Sequence, residues 1–529
     1  MKPHHPHSRM RSLWLVLAAV ASLSVSAAPA AKTGEAPTQR PNVLFILIDD
    51  HAANMISVLN ESPVRTPNME RLAARGSWFH KAYNPVPVCA ASRAAFLTGM
   101  QASKSGMYYN SQAYRRSTAP ISKAITMQRQ FLDNGYIVAG YGKLNHTGYQ
   151  DDNLSDFTPG YFKGHRNKKY VTNNDGDLRK HLIPDTLRVP DPTYRASDFG
   201  ALPDDWDRDD PTKWQQDTEQ ASRTIEFLKA QHDKPFFVSC GFWRPHSERF
   251  VPKRYYDMYP LELMKVPPSY RADDLDDVPA PGRWRATAKG THARVINAGM
   301  WMEYLRSYYA STTYVDEQLG RVLDALDQSA YAKNTIIVFA SDNGYNGGEK
   351  NMWAKFALWD QTCRVVFCIS VPGLPQQYCP SPVSLLDIYP TLLDLCGLPA
   401  PSTHHLDGID LTPILKGERI DRGQPVLSTY GLGNHSIRDW RFRYIRYLNG
   451  DEELYDHDND RYEFTNLAKD PRFASIKAKL ASQLPTENAP EIEQEIPWDG
   501  SELRADLFKQ WEPGALNKVP ETTKKAGGE

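Results

Sequence analysis

One short segment of the chain contains residue types suited to covalent chemistry. It spans residues 89–99 (CAASRAAFLTG), follows a Pro-rich turn, and is predicted to enter a short helix that Gly99 ends. A cysteine at a helix N-terminus, four residues before an arginine, lies in an electropositive environment where anions bind. A lone cysteine is more often a buried packing residue. For Cys89 the reactive and the structural interpretations therefore both stay open until the rest of the chain is considered.

Acidic and amide side chains follow two strands that are predicted to be buried. Asp49 and Asp50 come directly after an unbroken apolar run, and Asp342 and Asn343 follow another interior strand. Oxygen ligands of this kind favour Ca²⁺ or Mg²⁺ over zinc. The alternative for the Asp49–Asp50 pair is a helix cap beside one solvated acid.

Groups that carry positive charge or transfer protons occupy comparable positions. Lys143 and His146 lie just beyond one predicted strand, His246 lies beyond another, and Lys355 follows a Gly-rich loop. Each of them alone is more often structural. Several such residues at the ends of different strands are hard to attribute to packing, and together with Arg93 they predict a site for an anionic group.

The elements that must position these residues are strands alternating with helices. The runs at 43–48, 236–240 and 335–339 are apolar without alternation, which is typical of strands buried on both faces of a parallel sheet. The sequence therefore predicts an α/β fold with a large mixed, mostly parallel sheet flanked by helices. In such sheets ligands bind at the carboxyl ends of the strands, which is where the residues described above would lie.

Several longer segments have distinct patterns. Residues 78–83 are predicted to form one strand, residues 301–327 a long helix with an apolar stripe, and residues 267–290 a Pro- and charge-rich loop. Residues 151–210 are polar and too long for a simple connection, so they are predicted to be an ordered functional insertion. Beyond about residue 400, short alternating aromatic segments predict a smaller C-terminal antiparallel-sheet subdomain.

The predicted organisation comprises a signal peptide, a catalytic domain, the small subdomain and a polar tail, at residues 1–28, 40–400, 401–510 and 511–529. Basic residues, an apolar stretch and small residues before a cleavage point predict export to the periplasm or secretion. A net charge of −1 gives no indication of a nucleic acid partner, and no later apolar run is long enough for stable membrane insertion. The six cysteines lack zinc-ligand spacing, and their pairing stays open.

The motifs of the chain resemble those of type I sulfatases of the alkaline phosphatase superfamily, nearest the iduronate-2-sulfatase branch. They occur in the family's order over almost the whole chain beyond residue 40. The motifs are those at 41–50 (PNVLFILIDD), 89–99, 142–146 (GKLNH), 244–246 (RPH), 341–344 (SDNG), 386–391 (LDIYPT), 453–456 (ELYD) and 465–467 (TNL). The resemblance implies an enzyme that hydrolyses sulfuric esters.

The resemblance also implies a particular nucleophile. In the family a separate maturing enzyme oxidises the motif cysteine, here Cys89, to formylglycine (3-oxoalanine), whose hydrate is a geminal diol. One hydroxyl would attack sulfur and displace the alcohol. Deprotonation of the second hydroxyl would then expel sulfate and regenerate the aldehyde. A serine could form the sulfo-enzyme but would lack this route for sulfate release.

A bound Ca²⁺ is the implied cofactor, held by Asp49, Asp50, Cys89, Asp342 and Asn343. The ion would bind a sulfate oxygen and spread the negative charge that develops during the reaction. The branch often has a histidine where this chain has Asn343, and both residues are workable ligands.

Five further side chains would act on the diol and the ester. Arg93 and Lys143 would orient the diol, and His146 is the candidate base for sulfate release. His246 and Lys355 would bind the sulfate ester, with one of them protonating the leaving oxygen. The motif also differs slightly from the most frequent form in the family, which has proline two residues after the cysteine. This chain has Ala91 there, and alanine is an accepted variant in the family.

The predicted substrates are sulfated polysaccharides or their oligosaccharides, among which uronate-containing ones fit the resemblance. Candidate sugar contacts are Trp243, Arg244, Arg249, His435 and the insertion at 151–210. One alternative is a phosphoester or phosphonate hydrolase of the same superfamily, which would generally need a second metal with more His and Asp ligands. Another is a sugar-binding protein that is no longer catalytic, which would not need the full set of reactive side chains.

Overall fold

The computed structural model describes residues 40–58, 62–146, 189–190, 198–202, 204, 215–288 and 290–493. The predicted signal peptide, the polar tail and most of the insertion at 151–210 lie outside the described residues, so these remain predictions. The domain boundary near residue 400 also remains a prediction. In the described ranges no helix is long and apolar enough to cross a membrane.

The strands of the described ranges form four sheets. They are β1 (Asn42–Asp49), β2 (Ser77–Phe79), β3 (Ala82–Tyr83), β4 (Ile137–Gly142), β5 (Val189–Pro190), β6 (Asp198–Leu202), β7 (Phe236–Pro245), β8 (Arg249–Pro252), β9 (Thr335–Ser341), β10 (Arg364–Val365), β11 (Phe367–Ser370), β12 (Gln377–Cys379), β13 (Val383–Ser384), β14 (Val426–Thr429), β15 (His435–Arg438), β16 (Phe442–Arg446) and β17 (Glu452–Asp456).

The central sheet has seven strands in the order β12-β2-β11-β9-β1-β7-β4. Strands β9, β1, β7 and β4 are parallel to one another, while β11 is antiparallel to both of its neighbours. The predicted large mixed, mostly parallel sheet is thus confirmed. Since its four parallel strands run the same way, their carboxyl ends share one edge of the sheet.

The described ranges contain thirteen α-helices, some of which cover the two faces of the central sheet. They are α1 (Pro67–Ala73), α2 (Cys89–Thr98), α3 (Ala102–Ser105), α4 (Met127–Asp133), α5 (Gln216–Lys229), α6 (Lys253–Asp257), α7 (Ala280–Thr287), α8 (Thr291–Asn297), α9 (Trp301–Asp327), α10 (Asp360–Cys363), α11 (Ile388–Cys396), α12 (Thr412–Leu415) and α13 (Ala474–Ala481). Helix α9 has the predicted bounds.

Strand β1 explains why the apolar run at 43–48 does not alternate. Phe45 and the other odd-numbered residues of the run pack with α2, α4 and α11. Ile46 and the other even-numbered residues pack with α1, α5 and α9 on the opposite face. Both faces of the strand are therefore buried, and each additional buried side chain stabilises the fold by about 1.5–3 kcal/mol relative to exposure.

The small antiparallel sheet near the C-terminus is also confirmed. Strands β14 to β17 pair in sequence order, each antiparallel to the next. Ile437, Tyr444 and Leu454 of this sheet pack with Leu480 of α13 in a core of their own.

Two local predictions were wrong. The expected single strand at 78–83 is divided, because the chain turns at residues 80–81. As a result β2 joins the central sheet while β3 pairs with β10 and β13. The expected loop at 267–290 contains α7, whose first turn includes Pro281, a residue suited to that position.

Candidate active site

The parallel register brings the predicted site residues to one edge of the central sheet. Ile48 is paired with Ser341, so the acids that end β1 and follow β9 are neighbours. On the other side Gly142 is paired with Gly241, so the segment after β4 begins beside β7. The strand ends therefore deliver the side chains to a common place, as the sequence predicted.

Two glycines permit a close crossing at the ends of β4 and β7. A Cβ atom on Gly241 would lie 2.3 Å from the backbone oxygen of Lys143, and one on Gly142 would lie 2.0 Å from the oxygen of Gly241. Gly142 also has a positive φ of 85°. Because neither position has room for a side chain, the backbone of Lys143 can bond directly to that of Gly241.

Cys89 is the first residue of α2 and is fully buried at the centre of this edge. Its Sγ donates to Asp49 Oδ1 at 3.2 Å and lies 3.6 Å from Asp50 Oδ1. Lys355 Nζ donates to the same sulfur at 2.6 Å. Gly99 ends α2 in the left-handed conformation, as predicted. The cysteine is thus part of the site and not an ordinary packing residue.

Asp49, Asp50, Cys89 and His246 each place one ligand atom within 4.8 Å of the others. Sulfur, imidazole and carboxylate donors at this spacing could share one cation. His246 was predicted to act on the ester instead, and its Nε2 lies 3.6 Å from Asp50 Oδ2.

Asn343 supplies an observation that fits a cation. Its Nδ2 donates to Asp50 Oδ1 at 2.7 Å and to Gly344 O at 2.8 Å, whereas its Oδ1 is buried without a hydrogen-bond partner. Turning the amide over would break both bonds and place Oδ1 beside the carboxylate oxygen, an arrangement that a hard cation bound to both oxygens would stabilise. Asp342, another predicted ligand, lies next to Asp50, whose N donates to Asp342 Oδ1 at 3.2 Å.

Three cations neutralise the three buried carboxylates. Arg93 Nε donates to Asp342 Oδ2 at 2.7 Å, Lys355 Nζ donates to Asp50 Oδ1 at 2.5 Å, and Lys143 donates to Asp49. All of these side chains are buried. Unpaired charges would be very costly there, so the pairing is what allows the cluster to exist.

The charges decide the protonation of the two adjacent acids. Burial alone would raise the pKa of Asp49, but the positive charge of Lys143, assisted by Arg93 and Lys355, outweighs it and holds the pKa well below its ordinary value. The pKa of Asp50 is lowered in the same way, with Lys355 opposing the effect of burial. Asp342 differs, because burial dominates over Arg93 and raises its pKa to about 6.

The thiol and the imidazole are both kept neutral. Burial, assisted by Asp342 and Asp49, raises the pKa of Cys89 well above its ordinary value. Burial also lowers the pKa of His246 to about 4, against the attraction of Asp50. The unmodified cysteine is thus a protonated thiol at neutral pH, and thiols are much weaker nucleophiles than thiolates.

His146 and Trp243 lie at the margin of the site. Arg93 Nη1 donates to Leu144 O at 3.1 Å, which fixes the segment before His146. His146 itself is half-buried. Trp243 is also half-buried, with Lys143 Nζ 4.5 Å from its ring centroid and His246 packed against it.

The other predicted sugar contacts are buried among protein groups. Arg244 Nη2 donates to Phe250 O at 3.2 Å, and the Arg249 guanidinium lies 4.5 Å from the ring centroid of Tyr304. His435 is buried in β15, where burial lowers its pKa to about 4. These contacts support structural roles, and sugar binding by the three residues stays a prediction.

Two residues that support the site were not identified from the sequence. Tyr308 of α9 bonds to the backbone of Asp50, and Arg285 of α7 bonds to the backbone of Lys355. Tyr308 lies in the predicted long helix at 301–327, whose apolar pattern indicates a packing role only. Arg285 lies in the segment that was expected to be a loop. Pro281 could have indicated the start of a helix there, because proline is favoured in the first turn of a helix.

Comparison with known proteins assigns a family to this arrangement. The family described as Sulfatase matches residues 41–398, and N-sulphoglucosamine sulphohydrolase, C-terminal matches residues 348–489. A sulfatase of Formosa agariphila is 36% identical over 460 residues, covering 85% of this chain and 87% of the relative. Iduronate 2-sulfatase of Homo sapiens is 29% identical over 450 residues, covering 75% and 77%. A solved structure of a 2-O GAG sulfatase superposes with a TM-score of 0.63 at 23% identity, over 84% of this chain and 91% of that one, which shows the fold.

Proposed function

Because this chain belongs to the sulfatase family and is a sulfuric ester hydrolase, we propose that it removes sulfate from carbohydrates with a formylglycine nucleophile made from Cys89 and a bound Ca²⁺. The observation that carries the proposal is the position of Cys89. Its sulfur lies between the carboxylates of Asp49 and Asp50 and the ammonium of Lys355, in a fully buried site.

The state of the thiol supports modification of Cys89. A buried thiol whose pKa is raised stays protonated, so the unmodified side chain is poorly suited to attack sulfur. Formylglycine would supply a geminal diol, in which one hydroxyl is the nucleophile and the other provides the route for sulfate release. A maturing enzyme that oxidises Cys89 is therefore part of the proposal.

The residues that would hold Ca²⁺ are Asp49, Asp50, Asp342, Asn343 and the modified residue 89. The buried, unpartnered Oδ1 of Asn343 supports this assignment. When bound, the ion would supply a Lewis acid that stabilises negative charge on the ester oxygens.

The charge balance of the site supports an anionic substrate. Its three carboxylates and three cations cancel, so a divalent cation would make the site positive. The six groups are Asp49, Asp50, Asp342, Arg93, Lys143 and Lys355. A sulfate monoester carries one negative charge, and the resulting site would attract it.

Individual side chains have separate proposed roles. Lys355 reaches both Asp50 and Cys89, so it can bind an ester oxygen beside the nucleophile. His246 is half-buried next to Asp50 and would bind the ester through Nε2, while the ammonium of Lys355 is the group that has a proton to donate to the leaving oxygen. Arg93 and Lys143 fix the carboxylates and orient residue 89, and His146 is the proposed base for sulfate release.

The carbohydrate assignment draws on the relatives. Named relatives include iduronate 2-sulfatase of Homo sapiens and a 2-O GAG sulfatase. We propose sulfated polysaccharides or oligosaccharides as substrates, with half-buried Trp243 as a sugar contact at the margin of the site. Export through the predicted signal peptide would give the enzyme access to such polymers outside the cytoplasm.

The test is sulfate release by the protein purified with Ca²⁺ from a host that contains a maturing enzyme. Sulfated uronate and glucosamine oligosaccharides and an aryl sulfate serve as substrates. We expect release from at least one oligosaccharide, and mass spectrometry should find the CH₂SH group of residue 89 replaced by CHO.

The matched variant is Cys89→Ala, which should fold with an unchanged circular dichroism spectrum and release no sulfate. Activity retained by this variant would remove the central claim. Hydrolysis of a phosphonate monoester in preference to every sulfate ester would instead favour the alternative reaction within the superfamily.

A further inference from the structure

The end of β7 departs from the regular sheet directly beside the active site. Its pairing with β1 advances from Gly241 to Pro245 while β1 advances only from Leu47 to Asp49. Residues 242–244 therefore lie opposite a single residue of β1, and in the described ranges they are paired with neither β1 nor β4. Such a bulge redirects side chains, and it leaves backbone N–H groups that need other partners.

Asp217, in the first turn of α5, supplies those partners. Its Oδ1 accepts from Trp243 N at 2.5 Å, and its Oδ2 accepts from Arg244 N at 3.2 Å. The side chain is fully buried, and Arg244 Nη1 lies 3.8 Å from Oδ2. The carboxylate thus closes the bulge with two hydrogen bonds, in a place where an unpaired N–H group would be costly.

The bulge leads into two side chains of the site. Trp243 Nε1 and His246 Nδ1 both donate to Ser247 O, at 2.9 Å and 2.5 Å. The two rings pack with their centroids 4.8 Å apart, and His246 N donates to Trp243 O at 3.1 Å. Trp243 and His246 therefore form one unit, and Asp217 holds the backbone at which this unit begins.

We infer that Asp217 is a positioning residue for substrate binding, which acts through Trp243 and His246. This inference rests on the proposed function, in which Trp243 contacts the sugar and His246 binds the ester. Without the bonds to Asp217, the bulge would hold its binding-competent conformation for a smaller fraction of the time. The apparent affinity for substrate falls by that same fraction. Because bound substrate restores the conformation, the loss should appear in KM more than in kcat.

The test variant is Asp217→Asn, which keeps the size of the side chain but turns an amide NH₂ group toward one of the two backbone donors. The matched control is Asp316→Asn. Asp316 is also buried and accepts from two consecutive backbone groups, Asn68 N at 3.0 Å and Met69 N at 2.8 Å. It lies eight residues beyond Tyr308 on α9, so it is about 12 Å along the helix from the contact with the site.

Steady-state kinetics are measured with the sulfated oligosaccharide that the unmutated protein hydrolyses fastest. We expect Asp217→Asn to raise KM about tenfold, as for the loss of about one hydrogen bond, and to lower kcat less than about threefold. Asp217→Ser, whose hydroxyl can accept one bond, is the second variant if the amide impairs folding, and it should raise KM by a similar factor. Asp316→Asn should lose stability in urea but keep both kinetic constants.

A double-mutant cycle tests whether Asp217 acts through the tryptophan. Trp243→Ala should raise KM by itself, because it removes the proposed sugar contact. Adding Asp217→Asn to Trp243→Ala should then raise KM less than about threefold further, since the side chain that Asp217 positions is already absent. Residues that act independently would instead give additive effects.

A binding measurement separates this inference from the proposed function. Cys89→Ala protein, alone and combined with Asp217→Asn or Asp316→Asn, is titrated calorimetrically with sulfated tetrasaccharides from heparin, chondroitin sulfate and carrageenan. Asp217→Asn should weaken the tightest of these ligands about tenfold, and Asp316→Asn should not.

Unchanged affinity and KM in Asp217→Asn, an equal loss in Asp316→Asn, or additive effects of Asp217→Asn and Trp243→Ala would each overturn the inference. It would also be overturned if none of the sulfated tetrasaccharides bound. Absence of sulfate release from every ester by unmutated protein would instead count against the proposed function, and the titration would still decide whether Asp217 positions the binding groups.

Discussion

The Tyr308 hydroxyl donates to the backbone oxygen of Asp50 at 2.6 Å and accepts from Ala52 N at 2.9 Å. Asp50 has a positive φ of 59°, which costs a residue other than glycine about 1–2 kcal/mol. The tyrosine therefore holds this strained backbone from both sides. The same bonds fix the direction in which the Asp50 carboxylate points.

Replacement of Tyr308 by phenylalanine should impair the site with little change in packing. The substitution leaves two buried backbone groups without their partner, at a cost of about 1–3 kcal/mol each. We expect Tyr308→Phe to lower kcat about tenfold and to weaken Ca²⁺ binding by a similar factor. Steady-state kinetics and Ca²⁺ titration by calorimetry measure the two effects.

The control is Tyr314→Phe on the same helix. It also removes one buried hydroxyl, which bonds to Thr218 Oγ1 at 2.8 Å, away from the site. This variant should lose stability but keep its kcat and Ca²⁺ affinity. An equal loss of activity in both variants would contradict a specific role for Tyr308.

Removal of Ca²⁺ should both inactivate and destabilise the enzyme. A ligand that binds only the folded state at 100 times its Kd adds about 2.7 kcal/mol to the free energy of unfolding. EDTA should therefore lower the melting temperature, and added Ca²⁺ should restore it, also in Cys89→Ala protein. Asn343→Leu should abolish this Ca²⁺-dependent shift, whereas Asn343→Asp should keep it, since aspartate supplies an oxygen ligand. A melting temperature that does not respond to Ca²⁺ would exclude the proposed ion.

Arg285 fixes the backbone that carries Lys355. Its Nε donates to Phe356 O at 2.7 Å and its Nη2 donates to Lys355 O at 3.3 Å. Phe356 has a positive φ of 81°, and its N–H donates to Pro87 O at 3.0 Å, two residues before Cys89. The buried guanidinium thus holds the Lys355 segment in a backbone conformation that this segment would not readily adopt by itself.

The variant Arg285→Ala should lower kcat about tenfold or more, because Lys355 would no longer be held in place. Hydrogen bonds to charged groups contribute about 1.5–3 kcal/mol each to the stability of the bonded conformation. The KM for substrate should change less than kcat, and Arg285→Lys should recover part of the loss. Arg283→Ala, a half-buried arginine on the same helix, is the control and should retain normal kcat. If Arg285→Ala lost activity only to the extent that it lost folded protein, that result would contradict this positioning role.

A buried charge cluster joins the small sheet to the catalytic part of the chain. Arg443 of β16 lies 2.8 Å from Asp360 Oδ1 and 2.7 Å from Glu463 Oε1. Burial would raise the pKa of Glu463, but Arg443 and His457 outweigh it and lower the pKa. A carboxylate whose pKa is lowered by folding stabilises the protein above its unfolded pKa, and this stabilisation disappears as the pH falls.

Glu463→Gln should therefore lower the free energy of unfolding by about 3–5 kcal/mol at neutral pH, as expected when one partner of a buried ion pair is removed. The difference from the unmutated protein should shrink as the pH falls below about 4.3, the pKa of an unfolded glutamate, because folding lowers the pKa of Glu463. Urea unfolding at several pH values measures the difference. The exposed Glu226→Gln is the control, and a difference that grows with acidity would have the wrong sign.

The central sheet and the residue types at its edge can be predicted from local patterns in the amino-acid sequence. An unbroken apolar run such as 43–48 is stable only where both faces are covered, so the local pattern already specified a buried parallel strand. Parallel strands end together, which is why Asp49 and Asp342 could be assigned to one place from their positions after two runs. The motif around Cys89 then indicated the reaction.

Which charges pair, and which residues support them, depends on contacts between segments that are far apart in the chain. Arg93 bonds to Asp342 across 249 positions, and Tyr308 bonds to Asp50 across 258. Periodicity reports on neighbours within a helix or strand, and it contains no information about contacts between distant segments. The packing of Arg249 against tyrosine rings was likewise not predicted, because the burial of a long side chain depends on which elements cover it. The reacting groups were thus encoded locally, and their geometry was fixed by the folded chain.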